Sequence, residues 1–318
     1  MRLRLVPGWS AAAILAVEFI FFTLILARPG LPQTFANLDN IALILKYSGI
    51  YGIAAIGAAM IIGAGGIDLA PGAVIALASV ITGHLFTVEA WPLFAAVGAG
   101  IAIGFASGAL AAALVVLAQL PPFIATLGVM GITRGTAFLI TEGRFYDLSR
   151  WVAAGAAPLG VPLAAWPGLL MVVLAVVFQA VMTATALGRH VLATGGNETA
   201  ARFAGVRVGR VKAFAYVTGG ALAALSGVVL AVVQGQGKAD LATGYELDII
   251  AAAVVGGASL SGGRTSVVGA VIGALIFGVL RNALAQIPGG TFADRLILGV
   301  AVLMIVVMDR LATREVAR

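Results

Sequence analysis

The chain has 318 residues, of which 61% are hydrophobic and only 10% charged, and its formal net charge is +6. Soluble domains carry about a quarter charged residues, so this chain has too few polar groups to cover a water-facing surface, and lipid must be its main solvent. The absence of cysteine excludes a disulfide framework and thiolate metal sites. The basic residues are sorted by membrane side, so the charge does not indicate nucleic acid as a partner.

The first predicted element is an apolar run, Ala11–Ala27, that follows Arg2 and Arg4. The run is long for a signal peptide and no small-residue cleavage site follows it, so we interpret it as a retained span. About 20 apolar residues cross a hydrocarbon core of about 30 Å, and this rule predicts ten spans. They are 10–27, 39–63, 69–87, 92–118, 122–141, 168–187, 213–234, 245–259, 266–287 and 292–309.

The basic residues orient these spans. When the N-terminus is placed in the cytoplasm, most Lys and Arg side chains fall in cytoplasmic segments, and both termini are then cytoplasmic. Two sets of five spans start from opposite sides of the membrane, which is the arrangement of an inverted repeat. The sequence therefore predicts an all-α, polytopic membrane protein. Residues 1–318 form a single transmembrane domain with about ten helices in two inverted five-helix halves.

A glycine-rich break occurs at the corresponding point of each half. Gly63–Gly72 separates spans two and three, and Gly235–Gly244 separates spans seven and eight. Paired breaks of this kind are the best sequence indication of a translocation pathway, although ordinary connecting turns would give the same pattern. The candidate pathway residues in and after the breaks are Gly66, Asp68, Gly72, Gly244, Glu246 and Asp248.

Ionisable residues inside the predicted spans are costly in lipid and usually face the protein interior or a cavity. Glu18 and Lys46 are expected at similar depths in spans one and two, and we hypothesise that they form an ion pair. Arg134 and Arg281 fall toward the outer ends of their spans, where snorkelling to the interface would satisfy them. No buried row of carboxylates emerges, which argues against proton-coupled transport.

Two glycine motifs are suited to close helix contact. Gly100-x-x-x-Gly104-x-x-x-Gly108 lies on span four, and Gly269-x-x-x-Gly273 lies on span nine. Small residues at this spacing let two helix backbones approach each other. The motifs would serve either a subunit interface or packing within the chain, and packing within the chain is the more usual role.

The basic loop 188–212 between spans six and seven is predicted to contain a short helix. Asn197 suits the N-cap, Glu198 complements the positive helix end, and Gly205 is a natural stop. Topology and contact with lipid head groups would explain the basic residues, but not a capped helix that carries Phe203. We therefore interpret the loop as a docking surface for a cytoplasmic partner. The residues assigned to it are Asn197, Glu198, Ala201, Arg202, Phe203 and Gly205.

The chain lacks an energy source of its own. Its nearest approach to a phosphate-binding loop, Gly257–Thr265, has no Gly-Lys pair and lies between two spans. Ser259 and His84 would make an intramembrane protease only if they met, and they are predicted at opposite ends of the membrane. We expect no catalytic residue, no metal ligand and no cofactor, and a transport role rather than an enzymatic one.

Several motifs occur in one register over nearly the whole chain. They are Gly66–Gly72, Pro122–Gly128 with Arg134-Gly, Ala193–Glu198, Gly244–Asp248 and Gly256–Gly263. Together they resemble the motifs of the ribose-type ABC sugar importer permeases, from about span two to span ten. The resemblance implies a type II importer-like fold and a subunit of the bacterial inner membrane.

The resemblance also implies function and partners. The chain would be the permease of a binding-protein-dependent ABC importer for a sugar or sugar-like solute, such as a pentose, hexose or polyol. Its partners would be a cytoplasmic ATPase with two fused cassettes, a periplasmic sugar-binding protein, a second and usually identical permease copy, and membrane lipid, with no nucleic acid. Residues 197–205 match the family's coupling helix, while 142–166 and 235–244 would face the binding protein.

Two departures from the family pattern bear on the cargo. Ala70-Pro71 stands where Ser-Val is more usual, and Arg281-Asn282 stands where neutral residues are more usual. A charge at the outer mouth would suit a cargo other than ribose. The alternatives are a branched-chain amino-acid-type ABC permease and a self-sufficient channel or secondary carrier.

Overall fold

The computed structural model describes residues 9–27, 35–149 and 165–290, together with residues 292, 296–297 and 299–300. The described residues form eleven helices and two short strands. In chain order these are α1 (Trp9–Leu26), α2 (Leu38–Gly63), α3 (Pro71–Thr87), α4 (Leu93–Val116), α5 (Pro122–Thr141), β1 (Phe145–Asp147), α6 (Trp166–Ala184), α7 (Ala186–Gly196), α8 (Glu198–Phe203), α9 (Val208–Gln234), β2 (Gln236–Lys238), α10 (Tyr245–Val255) and α11 (Val267–Gln286).

The chain is a mostly helical, multi-pass membrane protein. The first nine predicted spans each contain a helix with similar bounds, and most of span 292–309 lies outside the described residues. Among the described helices, six are long and apolar enough to cross a membrane, namely α2, α4, α5, α6, α9 and α11. The apolar helices α1 and α3 are shorter, and α10 has only 11 residues. The count of ten spans and the two inverted halves therefore remain predictions.

Helices α2 and α9 form the centre of the molecule. Both are largely buried, and α9 packs against α2, α3 and α4. The backbones of α2 and α9 approach closely where both helices have glycine. A Cβ added at Gly57 would lie only 2.7 Å from the α-carbon of Gly219. A hydrogen bond of 2.6 Å from the Ser226 hydroxyl to the carbonyl of Ile50 joins the same two helices.

The two glycine motifs pack within the chain. A side chain at Gly104 would collide with the Gly220 carbonyl of α9, and one at Gly273 with the Ala252 carbonyl of α10. The expected internal packing is confirmed for these positions. Helices without side chains at a crossing approach closely enough for extensive van der Waals contact, which is the main attraction between helices in lipid.

Strands β1 and β2 pair antiparallel, with Phe145 opposite Lys238, and join the end of α5 to the end of α9. Tyr146 of β1 packs against Gly83 and donates a hydrogen bond to the carbonyl of Ile140 at 3.0 Å. We call this end of the molecule the ribbon face. The 27 residues of α9 span about 40 Å at 1.5 Å each, so the opposite end, the α8 face, lies about a membrane thickness away.

The hypothesis of a Glu18–Lys46 ion pair is wrong. No salt bridge joins these two described side chains, and the Oε2 atom of Glu18 is buried without a hydrogen-bond partner. The Nζ atom of Lys46 instead lies 5.7 Å from the centroid of the Tyr47 ring. Helix α1 packs mainly on α11 through Phe22 and Leu26, so it does not align Glu18 with Lys46 on α2.

Candidate translocation site and docking surface

The two predicted breaks meet inside the molecule. After α2 ends at Gly63, the chain continues without helix to α3, and after β2 it continues through turns to α10. A side chain at Gly72, in the first turn of α3, would collide with the Glu246 carboxylate and lie 2.6 Å from the Ala242 carbonyl. The starts of the two helices therefore touch, and the carboxylate of Glu246 lies against the positive end of α3.

The first break is held by Asp68. This residue is 7% exposed, and its Oδ1 atom accepts a hydrogen bond from the backbone N–H of Ala70 at 2.8 Å. The backbone N–H of Leu69, one residue earlier, donates to the hydroxyl of Thr126 on α5 at 3.1 Å. Gly66 lies against the Tyr216 hydroxyl, where a side chain would not fit. Asp68 and Gly66 therefore shape the break from within the protein.

The second break is held by Arg134. Its Nη1 atom donates to the carbonyls of Ala239 and Leu241, both at 2.7 Å, and so ties α5 to the segment before α10. Gly244 then takes φ +89°, a left-handed conformation that glycine adopts without a Cβ penalty, and α10 begins. Snorkelling is therefore the wrong interpretation of Arg134, because its guanidinium satisfies buried backbone carbonyls.

A cluster of four side chains joins α10 to α2 and α11. Arg281 donates to the Asp248 carboxylate at 2.8 Å and to the Tyr51 hydroxyl at 2.6 Å. The guanidinium lies 5.1 Å from the centroid of the Tyr51 ring, and the Tyr245 ring packs 4.6 Å from that of Tyr51. Arg281 is thus not a snorkelling side chain, and its charge is balanced by Asp248 inside the protein.

The six pathway candidates divide into two groups. Gly72, Gly244 and Glu246 lie together where the helix starts meet, and Glu246 is half-buried with no ion pair to any described residue. Asp68 and Asp248 are buried and hydrogen-bonded, and Gly66 lies against Tyr216. The starts of α3 and α10 therefore meet inside the helix bundle.

The docking loop contains the expected helix. The Asn197 side chain accepts from the Ala200 N–H at 2.9 Å, and Glu198 accepts from Arg202 at 2.8 Å and from Lys212 at 2.6 Å. The hydrogen bond from Lys212 is the main reason that the pKa of Glu198 lies below its ordinary value of 4.5. Helix α8 ends at Phe203, and Gly205 follows with φ +83°.

The side chains of α8 do not all face outward. Phe203 is 89% exposed and the Arg202 side chain is 70% exposed, so both are available to a partner. Ala201 is only 5% exposed, because it faces the protein. The assignment of Ala201 to the contact surface is therefore wrong, since the helix turns that residue inward.

The sequence did not predict a glycine junction on the α8 face. The N–H of Gly263 donates to the Gly63 carbonyl at 3.1 Å, and a side chain at Gly195 would collide with that same carbonyl and lie 2.6 Å from the Gly263 nitrogen. This junction brings together the end of α2, the end of α7 just before α8, and the loop between α10 and α11. Helix α7 was also missed, because its residues were assigned to span six and to the loop.

The contact between Asp248 and Arg281 could have been inferred from the sequence. Asp248 and Arg281 are opposite charges in adjacent apolar segments, and such pairs usually meet inside a membrane protein. No comparable signal identifies Tyr51, Tyr216 or Tyr245, because apolar spans contain tyrosine for many reasons.

The chain matches known transport proteins over most of its length. Residues 40–308 match the family described as branched-chain amino acid transport system / permease component. The ribose import permease protein RbsC of Escherichia coli strain K12 is 35% identical over 88% of each chain, and that of Bacillus subtilis strain 168 is 34% identical over 91% of this chain and 90% of its own. The D-allose transport system permease protein AlsC of Escherichia coli strain K12 is 31% identical over 89% and 87%. No solved structure gives a significant match.

Proposed function

The chain belongs to the permease-component family of these transport systems, and on that premise we propose that it is the membrane subunit of an ABC importer for a sugar. The observation that carries the proposal is the 35% identity to a ribose import permease over 88% of the chain. The subunit is not an enzyme, because the family leaves ATP hydrolysis to a separate subunit. Its place is the inner membrane, which it crosses several times.

A sugar is the better choice of cargo, although the family description names branched-chain amino acids. The relatives that align over most of the chain are named for a pentose and a hexose, ribose and D-allose. The pairing of Arg281 with Asp248 is consistent with an uncharged cargo, because it leaves no unbalanced cation there. The branched-chain amino-acid alternative rests on the family description alone.

The proposed energy input is helix α8. A capped helix with an exposed Phe203 suits insertion into a groove on a cytoplasmic ATPase with two cassettes, and aromatic anchors of this kind often dominate binding. On this proposal the α8 face and both termini are cytoplasmic, which agrees with the excess of basic residues there. A periplasmic binding protein would then dock on the ribbon face.

The proposed mechanism transmits motion through the glycine junction. Helix α7 leads directly into α8, and its residue Gly195 touches the end of α2 and the loop after α10. A shift of α8 on ATP binding would therefore move the end of α2, where the first break starts, and the loop after α10, the helix that follows the second break. The pathway would open between the starts of α3 and α10, beside Gly72 and Glu246. A second copy of the chain would complete it, and the two permease copies would rock to open one side.

The proposal is tested by reconstitution. The permease is placed in liposomes with the ATPase and the binding protein encoded beside it, and uptake of ribose, D-allose and leucine is measured. We expect ATP-dependent uptake of a sugar only when the binding protein is present. Uptake of leucine alone would favour the amino-acid alternative, and uptake by the permease without its partners would favour a channel or secondary carrier.

A further inference from the structure

A cleft of about 920 Å³ opens on the α8 face, between the α4–α5 turn and the α8–α9 turn. One wall is basic, since Arg202, Arg207, Arg210 and Lys212 line it, and Glu198 supplies the one carboxylate among the described lining residues. That carboxylate already binds Arg202 and Lys212. Within the part of the chain that the structure describes, no carboxylate pairs with Arg207 or Arg210. The cleft therefore carries an excess of positive charge.

The opposite wall is apolar. Val115, Val116 and Leu120 line it, at the end of α4 and the start of the following turn. Other apolar side chains of α4 are exposed, since Phe105 is 50% exposed and Leu117, next to Val116, is 80% exposed. An occupant that satisfies both walls must carry an anionic group and a hydrocarbon part.

Two helix ends add to the positive potential. Helices α5 and α9 begin in the wall of the cleft, at Pro122 and Val208, and neither helix has a side-chain N-cap. The backbone N–H groups at a helix start and the helix dipole favour an anion. The positive ends of α5 and α9 therefore add to the potential of the basic side chains, which lie at the same end of the bundle.

We propose that this cleft binds an anionic phospholipid, with the phosphate group between Arg207 and Arg210 and an acyl chain along α4. Basic pockets between membrane helices on the cytoplasmic side attract anionic head groups. A free phosphate ion would use the basic wall but would leave the apolar wall without a role. Phe203 is not part of the cleft wall, so the lipid would support α8 from the side of the bundle and leave its exposed tip for a partner.

Native mass spectrometry of the purified permease alone tests this proposal. The protein is titrated with phosphatidylglycerol and with phosphatidylcholine of the same acyl chains. We expect preferential retention of phosphatidylglycerol, and about a fivefold loss of that preference for each basic residue removed. The variant Arg207→Gln/Arg210→Gln should therefore lose the preference almost completely. Arg189→Gln removes a basic residue of α7 outside the cleft and should keep it.

A second variant keeps the test independent of folding defects. Gln119→Glu adds an acidic group to the cleft without changing side-chain size or removing a cation, and it should also weaken phosphatidylglycerol retention. Equal retention of the two lipids, or an unchanged preference in both cleft variants, would overturn the proposal. Displacement of phosphatidylglycerol by millimolar inorganic phosphate would show a site for free phosphate instead. Because no ATPase or binding protein is present, neither result depends on the import function.

Discussion

Arg281 shows how a charge is accommodated inside the bundle. Its guanidinium is bound by the carboxylate of Asp248 and the hydroxyl of Tyr51, and it stacks on the Tyr51 ring. Asp248 is only 4% exposed, so the two charges depend on each other for solvation. Arg281 stands where neutral residues are more usual, and its charge attaches α10 to α2 and α11.

Removing one partner of this pair should be costly. Arg281→Gln leaves the Asp248 carboxylate buried without its counter-charge, and we expect a loss of about 3–5 kcal/mol in the free energy of unfolding. The double variant Arg281→Gln/Asp248→Asn should lose less than the sum of the single variants. Thermal unfolding in detergent measures both.

The matched control is Arg144→Gln. The Arg144–Glu142 pair is 4.0 Å apart and its side chains are 83% and 77% exposed, so its loss should change stability by less than about 1 kcal/mol. Strict additivity of the Arg281 and Asp248 variants, or equal effects at Arg281 and Arg144, would contradict the assigned coupling.

Glu198 gives a prediction about pH. Its pKa is lowered on folding, mainly by the hydrogen bond from Lys212, so its ion pairs contribute fully above the ordinary value of 4.5. That contribution is lost as the pH falls below 4.5 and through the lowered folded pKa. We expect hydrogen-exchange protection of α8, corrected for intrinsic rates, to stay constant from about pH 8 to about pH 6. It should decline only below 4.5.

Glu198→Gln should remove most of this acid dependence. Because the carboxylate is 41% exposed, its two ion pairs are screened, and their removal should cost about 1 kcal/mol or less at neutral pH. A decline in α8 protection that begins near neutral pH, or one that persists unchanged in the variant, would show that another group governs the helix.

At the scale of elements, Gly195 links the docking helix to the end of α2, where the first break starts, and to the loop after α10. An alanine there would collide with the Gly63 carbonyl and approach the Gly263 nitrogen to 2.6 Å. Overpacking of this kind costs about 1–3 kcal/mol. We expect Gly195→Ala to lower both the unfolding midpoint and sugar uptake by the reconstituted importer.

The neighbouring glycine is the control for this prediction. A Cβ at Gly196 would meet only the α-carbon of Gly263, at an ordinary 3.8 Å, so Gly196→Ala should leave uptake and stability nearly unchanged. Equal behaviour of the two variants would remove the junction from the proposed route of coupling.

The helices could be predicted from the sequence because their signals are local. Apolar length gave the bounds of α2 and α5 closely, and the side-chain cap at Asn197 gave the start of α8. The junction at Gly195 and the contact between Gly72 and Glu246 could not be predicted. They depend on which distant segments pack together, and a glycine has no side chain to indicate its neighbour.

At the scale of the whole molecule, the docking helix, the two breaks and the ribbon lie along one bundle. The bundle presents α8 at one end and the β1–β2 ribbon at the other, with the starts of α3 and α10 meeting between them. A permease that leaves selectivity to a binding protein and energy to an ATPase needs this arrangement more than it needs a tight solute site. The central proposal is therefore that movement of the ATPase is passed to the permease through α8.

Cysteine crosslinking tests that claim most directly, because the chain has no cysteine of its own. A cysteine at Phe203, which is 89% exposed, is compared with one at Ala201 of the same helix, which is 5% exposed. We expect a crosslink from position 203 to the ATPase whose yield changes with ATP, and none from position 201. No crosslink from position 203, or one that ATP does not alter, would contradict it.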